Sequence, residues 1–269
     1  MKPYIYGKRN KIHILNIRET LRGILTAQKF LEKIAGNGGE FLFIGTKRQA
    51  KDFVQTEAER CGAHYVHERW IGGLLTNHHT IRSRLARLEE IELSVSDGSI
   101  AAYTKRTQSG LLREKAKIEK SLWGVRKMFR IPDAVIVVDA LRERTAIAEA
   151  NRVKIPVICL LDTDGNPDLI DIVVPGNDDS TRAIRLVMHS CANAILAGKK
   201  NLEDRIVREA AERAALEAAE KARAEALERA KAEAEEKAKA EAEAQAAAPA
   251  SAESAPEAPP PASAAAPQE

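Results

Sequence analysis

The run Glu68-Arg69-Trp70-Ile71-Gly72-Gly73-Leu74-Leu75-Thr76-Asn77 gathers residue types that recognise nucleic acid. Arg69 offers a planar guanidinium that forks onto phosphate. Trp70 offers a ring that stacks on a base or ribose. Gly72 and Gly73 allow backbone angles and close approaches that other residues resist. Asn77 adds a polar side chain at the end of the run. Tryptophan is usually well buried, so Trp70 also fits a place in the core. Basic side chains continue at Arg82, Arg84 and Arg87, and again at Lys105 and Arg106, placed to meet RNA or a protein neighbour.

A second phosphate site is expected at Gly45-Thr46-Lys47-Arg48, which follows an apolar run and opens a helix. Free backbone N–H groups and the helix dipole favour an anion there. The segment is neither a P-loop nor a three-glycine dinucleotide fingerprint. Nucleic-acid phosphate is therefore the ligand expected on Lys47 and Arg48. Asp162, Asp164, Asp168 and Asp171 surround Gly165-Asn166-Pro167. Carboxylates of that kind suit a hard cation, but the same residues build turns, which is the preferred reading. Cys61, His64 and His67 have ligand-like spacing, with His78 and His79 downstream. On a strand His64 and His67 would face opposite sides, so no shared metal is expected. The sequence carries no nucleophile elbow, kinase set or zincin motif.

These groups need a scaffold, and apolar periodicity supplies one. Residues 41–44, 63–66, 133–139, 156–161 and 170–174 read as strands, and residues 11–17 alternate like another. Residues 18–34, 47–60, 142–152 and 178–197 read as helices, the last with Asp178 or Asp179 near its N-terminal cap. Strands alternating with helices predict a parallel sheet covered on both faces. This α/β domain takes in residues 1–76 and 130–200.

Residues 77–129 interrupt it. Ile81, Leu85, Leu88 and Ile91 form one stripe, and Leu111, Ile118, Leu122, Val125 and Phe129 a second. The two predict an antiparallel helical hairpin with its own apolar seam, able to be removed without unfolding the rest. Residues 201–248 are Ala, Glu, Lys and Arg, with pairs such as Glu217–Lys221 and Glu225–Arg229 at helical spacing. The composition is that of a coiled coil, but the apolar heptad positions are mostly Ala, which predicts a frayed single helix. Residues 249–269, rich in Pro, Ala and Ser, are expected to be disordered.

Charge is unevenly distributed. Residues 1–200 carry 33 Lys+Arg against 23 Asp+Glu, and residues 201–269 carry 9 against 16. The first 130 residues alone hold 25 against 13. A basic body of this kind points to nucleic acid as partner. The acidic tail is expected to be dispensable for RNA binding, because RNA repels net negative charge. Cys61, Cys159 and Cys191 are too scattered for a disulfide framework or zinc ribbon. A reduced, cytoplasmic setting follows. No apolar run reaches membrane-spanning length, and no secretory apolar region opens the chain.

Five runs resemble the bacterial family of small-subunit ribosomal protein two. They are Met1-Lys2-Pro3-Tyr4-Ile5-Tyr6-Gly7-Lys8-Arg9-Asn10; Phe43-Ile44-Gly45-Thr46-Lys47-Arg48; Arg69 through Asn77; Pro132-Asp133-Ala134; and Val174-Pro175-Gly176-Asn177-Asp178-Asp179. The resemblance covers residues 1–200. It implies a flavodoxin-like parallel sheet with an inserted antiparallel helical hairpin, to which this chain adds its charged helical C-terminal tail. It also implies binding to small-subunit ribosomal RNA near the head–body junction. Neighbouring ribosomal proteins become partners, including the large messenger-binding ribosomal protein one. Lys8, Arg9 and Lys11 join the expected RNA contacts. No cofactor, metal or catalytic residue is implied. Family members usually begin earlier, with a helix and a Gly-Val-His-Phe-Gly-His run. A start assigned too late, or a lost RNA-facing arm, would account for the difference.

The competing class is a nucleotide-binding enzyme on a doubly wound fold, with its ligand in the crevice at the strand ends. Missing glycine fingerprints and acid–base constellations weigh against it. A scaffold built on the tail helix is a weaker third reading.

Overall fold

A computed structural model of the chain describes residues 1–246. The disorder expected for residues 249–269 falls outside the described residues. The chain divides into two units, Met1–Val207 and Arg208–Glu269. Of the second, residues 208–246 are helical, and the side chains described there are exposed.

The first unit is built on a parallel sheet of five strands: β3 (Phe41–Ile44), β4 (His64–Val66), β5 (Ala134–Val138), β6 (Val157–Leu161) and β7 (Ile172–Pro175). Their order is β4-β3-β5-β6-β7, the flavodoxin-like arrangement in which the chain reverses direction beside its first sheet strand. β3, β5 and β6 are buried along their whole length. That explains why they read as continuous apolar runs rather than alternating ones.

Alternate residues serve opposite faces. Phe41 and Phe43 join the first core cluster, with Leu31 of α1 (Ile17–Ala35), Val54 of α2 (Lys51–Cys61) and Ile184 of α6 (Thr181–Ala246). Leu42 and Ile44 join the second, with Ile147 of α5 (Arg144–Val153). α1 lies close on β7 because Gly23 has no side chain: a Cβ there would sit 2.5 Å from the Val173 carbonyl oxygen. Cys61, Cys159 and Cys191 are free and buried. Burial pushes the Cys61 thiol up to about 11 and the Cys191 thiol up to about 12.

The N-terminal segment departs from expectation. The alternation read over residues 11–17 is β2 (Ile12–Leu15), and it pairs antiparallel with β1 (Ile5–Arg9) rather than joining the main sheet. Asn10 and Lys11 at the turn both have positive φ, 50° and 67°. Two such residues make the tight hairpin turn that matches strand twist. Asn16 ends the hairpin and caps α1, its Oδ1 accepting from the Arg18 N–H at 3.1 Å.

The inserted hairpin consists of α3 (His78–Ser96) and α4 (Lys105–Leu122). Ile81, Leu85, Leu122 and Val125 are buried in the same cluster as Leu42, Ile44, Val66, Val135 and Val137. The base of the seam is thus part of the main core, which corrects the expectation of a self-contained insertion. Phe129 also leaves the expected stripe. It is 71% exposed, with the Arg82 guanidinium 4.6 Å from its ring centre.

Deleting residues 78–128 would remove Ile81, Leu85, Leu122, Val125 and Met128 from the core on one face of the sheet. The truncated chain is expected to lose its cooperative thermal unfolding by circular dichroism. Leu85→Ala should destabilise by about 2–5 kcal/mol, the usual range for a buried leucine. A truncated chain that still melts cooperatively would show that the sheet is covered without the hairpin.

Candidate nucleic-acid interface

The Arg69–Asn77 segment is a loop joining β4 to α3, and one carboxylate organises it. Glu149 lies on the inner stripe of α5, one turn from Ala146 and beside Ala150. Its Oε1 accepts from Trp70 Nε1 at 3.0 Å and from the Gly73 N–H at 2.8 Å. Its Oε2 accepts from the N–H groups of Leu75 and Thr76 and from the Thr76 hydroxyl, at 3.1–3.3 Å. Burial pulls the Glu149 pKa upward, but the bonds from Gly73, Trp70, Leu75 and Thr76 hold it below the usual carboxylate value. Gly73 needs its missing side chain, since its φ is +88°. Gly72 has open space where a Cβ would be, so only one of the two glycines is a backbone requirement.

Held this way, Arg69 and Trp70 border a cleft of about 580 Å³ against the hairpin. Its other charged walls are Arg84 and Arg87 of α3 and Glu114 and Lys117 of α4. Trp70 is half-buried and Arg69 is exposed, so the indole serves both readings: its N–H edge is structural and its body lines the opening. Arg87 pairs with Glu90 at 2.9 Å. The side chains of Arg69, Arg84 and Lys117 have no protein hydrogen bond or ion pair among the described residues. With Arg87 matched by Glu90 and Glu114, the cleft stays positive through Arg69, Arg84 and Lys117, and its partly apolar walls strengthen that field.

Other expected contacts lie elsewhere. Arg82 stacks on Phe129. Asn77 precedes α3, exposed, with its Oδ1 accepting from the Thr80 hydroxyl at 2.8 Å. Lys105 and Arg106 begin α4, about 14 Å along the helix from Glu114 at 1.5 Å per residue. Lys8, Arg9 and Lys11 are exposed on the β1–β2 hairpin, and Arg48 is exposed after β3. None of these lines the cleft.

Lys47 differs most from expectation. α2 starts at Lys51, not Lys47, and the turn before it directs Lys47 inward. Its Nζ lies 2.7 Å from Asp178 Oδ1, 2.6 Å from Asp179 Oδ1 and 3.5 Å from Asp139 Oδ2. Burial opposes its charge, but these carboxylates raise its pKa well above the ordinary lysine value. The Thr46 N–H, one of the backbone donors of this segment, is given to Glu143 Oε1 at 3.0 Å. Asp178 therefore pairs with Lys47 instead of capping α6. Asn177 makes an Asx turn just ahead of α6, its Oδ1 accepting from the N–H groups of Asp179 and Ser180.

This network fills the crevice at the strand ends, where a doubly wound fold binds nucleotides. An incoming phosphate would meet carboxylates there, with Lys47 already committed. The Asp162–Asp171 loop behaves as a turn: Asp171 Oδ2 accepts from the Val157 N–H at 2.8 Å and Asn166 Oδ1 from the Asp168 N–H at 3.2 Å.

Fold and site together define a class: a flavodoxin-like α/β protein whose strand-end crevice is closed by ion pairs and whose open cationic cleft lies under an inserted helical hairpin. Residues 1–198 match the family described as Ribosomal protein S2, and the chain belongs to that family. It is 50% identical over 199 residues to the small ribosomal subunit protein uS2 of Rhodopirellula baltica, covering 74% of this chain and 76% of that one. It is 46% identical over 204 residues to uS2 of Syntrophobacter fumaroxidans, covering 76% and 74%. It is 45% identical over 204 residues to uS2c of Guillardia theta, covering 76% and 87%. These relatives bear names of ribosomal components, not of enzymes, which decides between the two classes weighed from sequence. The whole tail, residues 201–269, lies beyond the family match.

Proposed function

We propose that this chain is a structural constituent of the small ribosomal subunit, bound in the cytoplasm to ribosomal RNA through the cleft between the Arg69–Asn77 loop and the helical hairpin. The observation that carries this reading is the convergence of Arg69, Arg84, Arg87 and Lys117 around Trp70. Cations of this kind supply the phosphate affinity common to nucleic-acid interfaces. Family membership supports the assignment to the small subunit. The resemblance further suggests a place near the head–body junction and a role in seating the large messenger-binding ribosomal protein one. Among the described residues no helix is long and apolar enough to cross a membrane.

A tagged chain is expected to co-sediment with small subunits at low salt and to be released as salt rises, because displaced counterions drive such binding. A chain that stays free at every salt level would contradict the proposal.

A further inference from the structure

The cleft differs in shape and chemistry from a surface that merely rests on a duplex backbone. Trp70, Ile71, Ile118 and Leu122 give it apolar walls, while Arg69, Arg84, Arg87 and Lys117 supply the charge. Its volume of about 580 Å³ lies within the range that small ligands occupy. Glu149 ties the N–H edge of Trp70 at 3.0 Å, so the ring cannot swing in to fill the space. The site is therefore pre-organised, which lowers the ordering penalty on binding.

We infer that this cleft receives one unpaired nucleotide of a single-stranded RNA segment, its base against Trp70 and its phosphate on the surrounding cations. The inference rests on the RNA-binding reading above. A paired helix keeps its base faces stacked inside and presents phosphates, sugars and base edges, which would touch the rim and leave the apolar walls empty. An unpaired base has two apolar faces and stacks readily on an aromatic ring. Glu114, the one carboxylate in the wall, lies 4.0 Å from Arg87 through Oε1; its charge repels a second phosphate, and a carboxylate has acceptor capacity left for an amino or ring N–H group of a base. That favours a nucleotide over a polyphosphate.

The test uses the full chain with Trp123→Phe, which leaves Trp70 as its only tryptophan. The probes are a short single-stranded RNA and a fully paired RNA duplex of equal charge. The single strand is expected to quench Trp70 fluorescence saturably, while the duplex is retained on filters without quenching. Ser121→Tyr places a ring in the cleft and should weaken single-strand binding about tenfold, the loss of one stacked base, with duplex binding unchanged. If that variant does not fold, the contrast in quenching decides alone. Equal quenching by both RNAs, or single-strand binding with no quenching, would overturn the insertion of a base while leaving the RNA interface standing. Failure of both RNAs to bind at low salt would overturn the interface and, with it, this inference.

Discussion

Glu149→Ala is expected to dismantle the Arg69–Asn77 loop and destabilise the domain by several kcal/mol, since each buried donor left without an acceptor costs about 1–3 kcal/mol. The carboxylate accepts from Trp70, Gly73, Leu75 and Thr76, the last through both its N–H and its hydroxyl. The four N–H groups can only donate, so among these partners only the Thr76 hydroxyl could accept in place of the lost carboxylate. Glu149→Gln keeps one oxygen but turns an amide NH₂ toward further donors, so it should rescue only in part. The effect also depends on pH. Hydrogen bonds hold the folded-state pKa below the ordinary value. The carboxylate's contribution is therefore fully present above the unfolded value of about 4.3 and is lost as pH falls through the folded one. Urea melts at neutral and acidic pH check this. The difference between wild type and Glu149→Ala should be large at neutral pH and shrink in acid. An alanine variant as stable as wild type at neutral pH would show that the loop is held by other means.

The second large effect is on affinity. Arg69→Glu with Arg84→Glu should weaken binding to small-subunit RNA by at least about 100-fold at low salt, since each lost charge-assisted phosphate contact is worth on the order of 1.5–3 kcal/mol. The logarithmic salt dependence should become shallower by about 1.5–2, one phosphate contact for each arginine. Both side chains are exposed, so the circular dichroism melt should barely change. Filter binding across a salt series measures both quantities. Undiminished affinity in a folded double variant would remove the cleft from the interface.

The elements were legible where one signal dominated. The buried strands β3, β5 and β6 are continuous apolar runs, and α1 follows its helical stripe to within a residue at each end. The β1–β2 hairpin was half-seen because its pairing depends on Asn10 and Lys11 adopting positive φ, for which Lys is not the expected residue. Within the site, Arg69, Trp70, Arg84 and Arg87 stood out by type and position. Lys117 did not, because nothing local distinguishes it from the other lysines of α4. Glu149 carried an available signal, a carboxylate on the stripe of Ala146 and Ala150, where a charge is costly unless it has partners. Lys47 was misplaced because its partners, Asp139, Asp178 and Asp179, lie more than ninety residues away in sequence. Local pattern reports that a helix N-terminus is near, but not which distant carboxylates the sheet topology carries to it.

The central claim is that ribosomal RNA lies against the cleft and not against the strand-end crevice. Ultraviolet cross-linking in small subunits assembled with this chain, followed by mapping of the attached peptides, tests it most directly. The account predicts adducts on the peptides that carry Arg69–Trp70, Arg84–Arg87 and Lys117. Adducts confined to the peptides that carry Lys47 and Asp178–Asp179, with the cleft unmarked, would contradict it.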